Sequence, residues 1–121
     1  MNPFRDQEKF MRACDQSVTG DTVQFDMYVK LIAEEHKELL DALAVGDEVE
    51  TFDALLDILV VTIGAIHSMG ADGEGGWKEV MKTNFAKIDT ETGKVRKRED
   101  GKVLKPLGWE PPNLKPFLKQ Q

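Results

Sequence analysis

The run Glu34-Glu35-His36-Lys37-Glu38, and Asp57 inside the stretch Ala54-Leu55-Leu56-Asp57-Ile58-Leu59-Val60-Val61, put carboxylates where a helix needs apolar side chains. On a helical wheel at about 100° per residue, Tyr28, Leu31, Ile32, Leu39 and Ala42 fall within roughly 60° of Glu35, which therefore sits on the apolar stripe. Glu38 lies at the edge of that stripe and Glu34 just outside it. Asp57 has no polar face to occupy, and Asp53 and Glu50 share its side of the wheel within about 60°. A buried, isolated carboxylate is costly enough that it normally pairs, takes up a proton or binds a metal. Four or five oxygen donors, with no Cys among them and with His36 and His67 off the acidic stripe, suit a hard cation such as Mg²⁺ or Mn²⁺.

A Glu-Glu-x-x-Glu run taken alone is most often a solvated helix face. Asp53 and Glu50 have a second use open to them, at the N-terminus of a helix, where negative charge is favoured. Asp57, more than two turns in, has no such use. Its presence is what makes the two rows one constellation.

Four helices must position these groups. Asn2-Pro3 reads as an N-cap followed by proline at the first helical position, opening a helix of roughly Pro3 to Gln16 whose buried side would be Phe4, Phe10, Met11 and Cys14. Thr22 to Val45 runs without Gly or Pro and stops at Gly46. Asp47 with Glu50 three residues on resembles a capping box, and the apolar run behind it reaches Met69 before Gly70. Gly73, Gly75 and Gly76 read as a loop, and Trp77, Val80, Met81, Phe85 and Ile88 recur at helical spacing, giving a fourth helix from about Gly76 to Asp89. The short Gly46-Asp47 turn makes the second and third helices antiparallel neighbours, which brings the two carboxylate rows face to face. Beyond Asp89, four of the five prolines and Gly93, Gly101 and Gly108 exclude a long helix; Lys94-Val95-Arg96 and Lys102-Val103-Leu104 can pair as a hairpin. The expected fold class is all-α, a four-helix bundle with a short irregular or hairpin C-terminal tail. We expect one domain over residues 1–121, with a helical core of about 3–89 and a tail of 90–121.

Charge supports a division of labour. Net charge is −6, yet residues 1–77 carry 5 basic and 16 acidic side chains while residues 78–121 carry 11 basic and 6 acidic ones. The overall balance argues against a general nucleic-acid binder, whose affinity comes from neutralising phosphates. The longest apolar stretch is too short to span a bilayer, which takes about 20 residues, so no membrane partner is expected. The start has no basic cap with an apolar run, and Cys14 has no second cysteine to pair with, so we expect a reduced, cytoplasmic setting.

This pattern resembles the all-α nucleoside triphosphate pyrophosphohydrolase superfamily, the MazG-like enzymes related to phosphoribosyl-ATP pyrophosphohydrolase. In that family a Glu-x-x-Glu helix and a Glu-x-x-Asp helix cradle Mg²⁺. The first is matched here by Glu35-His36-Lys37-Glu38, preceded by Glu34. The second is matched by Asp57 and its continuation Ile58-Leu59-Val60-Val61-Thr62-Ile63-Gly64, with Ala54 where the family has glutamate and Asp53 one residue earlier as its substitute. Val80-Met81-Lys82-Thr83-Asn84-Phe85-Ala86-Lys87 is similar to the family's Asn-x-x-Lys segment, and Gly101-Lys102-Val103-Leu104-Lys105-Pro106 leads into a Pro-rich ending.

The resemblance implies a Mg²⁺-dependent enzyme, with Mn²⁺ as substitute, that cleaves a nucleoside triphosphate to the monophosphate and pyrophosphate. Glu34, Glu35, Glu38 and Asp57 would be catalytic; Glu35, Glu38, Asp53 and Asp57 would hold metal; and Asn84, Lys87 and Lys105 would bind substrate. Glu34 and Asp53 remain alternatives for orienting the attacking water. It also implies a homodimer or dimer of dimers. Phosphoribosyl-ATP is the related substrate, and a non-catalytic helical module that binds nucleotide or metal is the reading from another class. A di-iron bundle would need Glu-x-x-His pairs, which are missing.

Overall fold

Asn2 accepts a hydrogen bond from the Arg5 amide at 2.9 Å and Pro3 takes the first helical position, so α1 runs Pro3–Ala13. It stops short of the expected Gln16. Asp15 adopts φ +58, and the Gln16 and Asp15 amides turn back onto the Met11 and Arg12 carbonyls at 2.9 and 3.1 Å, a Schellman closure made without glycine. Asp21 caps α2, Thr22–Val45, by accepting from the Gln24 amide at 3.0 Å. At the far end Gly46 sits at φ +69, where an L side chain is strained, and the Asp47 amide reaches Ala42 O at 3.0 Å. Asp47 then caps α3, Glu48–Ser68, accepting from the Glu50 amide at 3.0 Å. The fourth helix, α4, spans Gly73–Phe85, and a 3₁₀ turn follows at Lys115–Phe117.

The computed structural model describes residues 2–118; residues 119–121 of the expected tail lie outside the described residues. Over the described part the chain is all-helical, with four α-helices and no strand. The chain divides into two compact units, one carrying α1–α3 up to Gly73 and one of Glu74–Phe117. No helix among the described residues is long and apolar enough to cross a membrane.

In the first unit α2 and α3 form the principal pair and α1 packs against α3. The pairing runs antiparallel. The Asp21 amide bonds Ser68 O at 2.9 Å, Gln24 Nε2 bonds Ser68 Oγ at 2.8 Å, Tyr28 meets Gly64, and Glu35 and Glu38 meet Asp57. Met11, Tyr28, Val61 and Ala65 form the buried core, flanked by Val18, Phe25, Leu31 and Ile32. Two residues expected on the buried side of α1 are not there: Phe10 is 62% exposed and Cys14 is exposed. Met11 is buried as expected, and Gln7, one helical turn before it, faces inward with it. On α3, the buried His67 ring bonds the Phe4 carbonyl through Nε2 at 2.8 Å, tying the start of α1 to the end of α3.

The approach of α2 to α3 is set at Gly64. A Cβ built there would lie 2.6 and 2.7 Å from Cδ1 and Cζ of Tyr28. That ring is held in place because its buried hydroxyl donates to Gln16 Oε1 at 2.5 Å. Gly64→Ala is therefore expected to destabilise the protein by about 1–3 kcal/mol through overpacking, read as a lower denaturant midpoint. An unchanged midpoint would show that this contact does not set the helix spacing.

Helix α4 departs from expectation at both ends. It starts three residues before the expected Gly76 and stops four before the expected Asp89. Gly73 enters it despite glycine's poor propensity, and only glycine fits there, since a Cβ would come within 2.7 Å of the Phe4 ring. After Phe85 the amides of Lys87 and Ile88 bond three residues back, to Asn84 O at 3.1 Å and Phe85 O at 3.0 Å, and the α-pattern ends. Further on, Lys97 bridges Val103, the Arg98 amide bonds Lys102 O at 2.8 Å and the Leu104 amide bonds Arg96 O at 2.8 Å. This is the expected hairpin in rudimentary form, too short to count as strands.

Candidate metal centre

Antiparallel pairing of α2 and α3 decides which carboxylates meet. Glu35 and Glu38, one turn apart on α2, face Asp57 on α3, and one oxygen from each lies within 4.8 Å of the others. Glu35 and Asp57 are half-buried, while Glu38 is exposed at the mouth of the group. Three carboxylates this close repel one another, so something must compensate. Asp57 carries no ion pair to a Lys or Arg among the described residues. Glu35 Oε2 is buried and has no hydrogen-bond partner among them either.

The electrostatics follow from this crowding. Burial, first, and then the neighbouring Glu38, Asp57 and Asp53 carboxylates push the Glu35 carboxyl up to about 7. Burial likewise pushes Asp57 above the ordinary carboxylate range, with Asp53 and Glu38 adding to it. Both shifts have the sign of a site that is short of positive charge. An all-carboxylate donor set with one orphaned buried oxygen fits a hard divalent cation, which would supply that charge and use that oxygen.

Asp53 is exposed and stands beside Asp57 rather than within the close triad of Glu35, Glu38 and Asp57. Position 54, where the resembling family has glutamate, is a buried alanine. A glutamate there would add one more carboxyl to be desolvated. Glu34 is exposed and outside the triad, as its place at the stripe's margin suggested. Glu50 is exposed in the first turn of α3, where it has the N-terminal use open to it.

The expected substrate residues lie in the second unit. Lys87 Nζ donates to Asn84 Oδ1 at 3.1 Å, so these two are in contact, with Asn84 on α4 and Lys87 in the turn that follows. Lys87 and Lys105 both lie against the Trp109 ring, with their ammonium nitrogens 5.0 and 4.9 Å from its centroid. Nothing in the spacing of these residues signals that Trp109 meets both lysines, because the contact depends on how the chain turns between them.

Residues 8–84 match the model of a protein family described as phosphoribosyl-ATP pyrophosphohydrolase. That family lies within the MazG-like all-α nucleoside triphosphate pyrophosphohydrolase superfamily. The matched segment includes all the carboxylates of the site and ends at Asn84. No curated protein matches the chain.

Proposed function

The chain belongs to the phosphoribosyl-ATP pyrophosphohydrolase family and is thereby a pyrophosphohydrolase acting on acid anhydrides; from that premise we propose that it hydrolyses ribo- or deoxynucleoside triphosphates between the α and β phosphates. Water adds to the α-phosphorus, the bond from that phosphorus to the bridging oxygen breaks, and the nucleoside monophosphate and pyrophosphate leave. The observation that carries this reading is the triad Glu35, Glu38 and Asp57 with its orphaned Glu35 oxygen.

These three side chains would hold Mg²⁺, or Mn²⁺ in its place, which neutralises phosphoryl oxygens and acidifies water when bound. Glu35 gives up its proton to bind, because a metal ligand must be deprotonated. Asp53, beside Asp57, or Glu34 on the outer side of α2 orients the attacking water and takes its proton. Asn84, Lys87 and Lys105 offer an amide and two ammonium groups to the sugar and phosphates, with Lys87 aimed by its bond to Asn84.

The test is pyrophosphate release from a panel of nucleoside triphosphates with Mg²⁺, Mn²⁺ or chelator. Release with monophosphate as co-product, abolished by chelator, is the expected result. Phosphoribosyl-ATP belongs in the same panel because of the family match, and a strong preference for it would replace the substrate proposed here. Metal binding without turnover of any substrate would leave a binding module.

Homo-oligomerisation is part of this reading. Leu40, Leu43, Val45, Val49, Phe52 and Leu55, near the α2–α3 turn, are all more than half exposed. Apolar side chains gathered in this way usually mark an interaction surface. Light scattering is expected to give a mass of at least twice 13.6 kDa; a monomer would remove this part of the proposal.

A further inference from the structure

We propose that Trp109 is a positioning residue that gathers Lys87 and Lys105 into one polyphosphate-binding station beside the end of α4. The inference rests on the pyrophosphohydrolase reading, which already gives Lys87 and Lys105 to the phosphates; what it adds is the part Trp109 plays in holding the two together. Trp109 itself lies beyond the segment matched to the family.

Because the Lys87 amide bonds Asn84 O instead of continuing the α-pattern, Thr83 O at the end of α4 is left to another donor. Trp109 supplies it: indole Nε1 donates to Thr83 O at 2.7 Å, which anchors the ring to the helix. The tail is turned to make this possible. The Trp109 amide bonds Pro106 O at 3.0 Å across a turn with Gly108 at φ +79, and the turn brings Lys105 back to the ring. Lys87 reaches the same ring from the turn after α4.

Two ammonium groups repel, and long side chains on a tail ordinarily stay apart in water. Here both are drawn to one π-system, so their nitrogens lie no more than about 10 Å apart. An ammonium has three donors, and Lys87 uses one of them on Asn84. What the ring assembles is a pair of cations held near each other before a ligand arrives. That is the arrangement a polyphosphate recognises, with less ordering cost at binding.

The probe is inorganic pyrophosphate titrated calorimetrically into the full-length protein in the presence of chelator, so that the reading does not depend on metal or turnover. Trp109→Leu is expected to weaken binding about tenfold, the order set by losing two cation–π contacts, and Trp109→Phe, which keeps a ring, by no more than about threefold. Lys105→Met, in the exposed tail, gives a readout free of any folding defect at Trp109 and is expected to weaken binding comparably to Trp109→Leu. In turnover, Trp109→Leu should raise KM about tenfold with kcat nearly constant, a split that a general loss of structure would not produce. Parent-like pyrophosphate affinity in Trp109→Leu or Lys105→Met would overturn the proposal, as would Trp109→Phe being as defective as Trp109→Leu. Weakened pyrophosphate binding in a protein that turns over no nucleotide would sustain the station and sink the hydrolase reading. Intact turnover with unaltered pyrophosphate affinity in Trp109→Leu would do the reverse.

Discussion

Replacing Asp57 with asparagine, or Glu38 with glutamine, is expected to lower metal-dependent pyrophosphate release by about 10²–10⁴-fold. A bound cation supplies several kcal/mol of charge stabilisation in a phosphoryl-transfer transition state, and each 1.36 kcal/mol is tenfold in rate. Both changes keep size and shape nearly constant. Glu38 is exposed, so its replacement leaves the core untouched, and helix content by circular dichroism should match the parent. Asp57→Asn also removes a carboxyl that burial and its neighbours oppose, so no loss of stability should accompany the loss of activity. Either variant with the parental rate would show that the chemistry lies elsewhere in the molecule.

Glu35→Gln is expected to make the metal-free protein more stable at pH 8 while abolishing its response to Mg²⁺. The folded protein holds the Glu35 carboxyl at about 7, above the 4.5 of the unfolded chain. Such a group contributes stability that is fully present below pH 4.5 and is lost as the pH rises through 7. At pH 8 the apo protein therefore carries a charge whose burial and neighbours oppose it. The cost is about 1–3 kcal/mol, taken below the full linkage value because the side chain is only half-buried and its neighbours titrate with it. Chemical denaturation with chelator should show stability falling from pH 5 to pH 8 in the parent and much less in Glu35→Gln.

Cation binding has the opposite slope. It requires the ionised carboxylate, so affinity should rise up to tenfold per unit below about pH 7 and level off above it. Isothermal titration at two buffer ionisation enthalpies would count the released proton. A parent protein whose apo stability is flat from pH 5 to pH 8, with no proton released on Mg²⁺ binding, would mean that Glu35 is not held in the environment described here.

Much of this molecule was legible from residue types and spacing because the relevant forces act within a turn or two of one helix. Asn2, Asp21 and Asp47 cap helices whichever way those helices pack, and Gly46 ends α2 because a glycine takes the left-handed conformation without strain. The anomaly of Glu35 and Asp57 was equally visible, since a carboxylate on an apolar stripe must be compensated wherever the stripe docks. A short turn then left antiparallel packing as the arrangement that brings Glu35, Glu38 and Asp57 together.

What residue spacing could not convey were contacts made by groups far apart along the chain. Phe10 and Cys14 have the period of a buried stripe, yet α1 buries Gln7 beside the expected Met11 and leaves those two exposed, and the partner that sets its orientation includes His67, 63 residues on from Phe4. Position 73 must be glycine because the Phe4 ring, far away in the sequence, fills the space beside it. Asp53 stands beside Asp57 rather than in the triad, because a helical wheel gives direction around one helix and not the distance to groups on another. Trp109 meets Thr83, Lys87 and Lys105 only after the tail has turned at Gly108. Periodicity reports which side of a helix is apolar, whereas burial and encounter depend on which distant surface arrives there, and that is settled by packing.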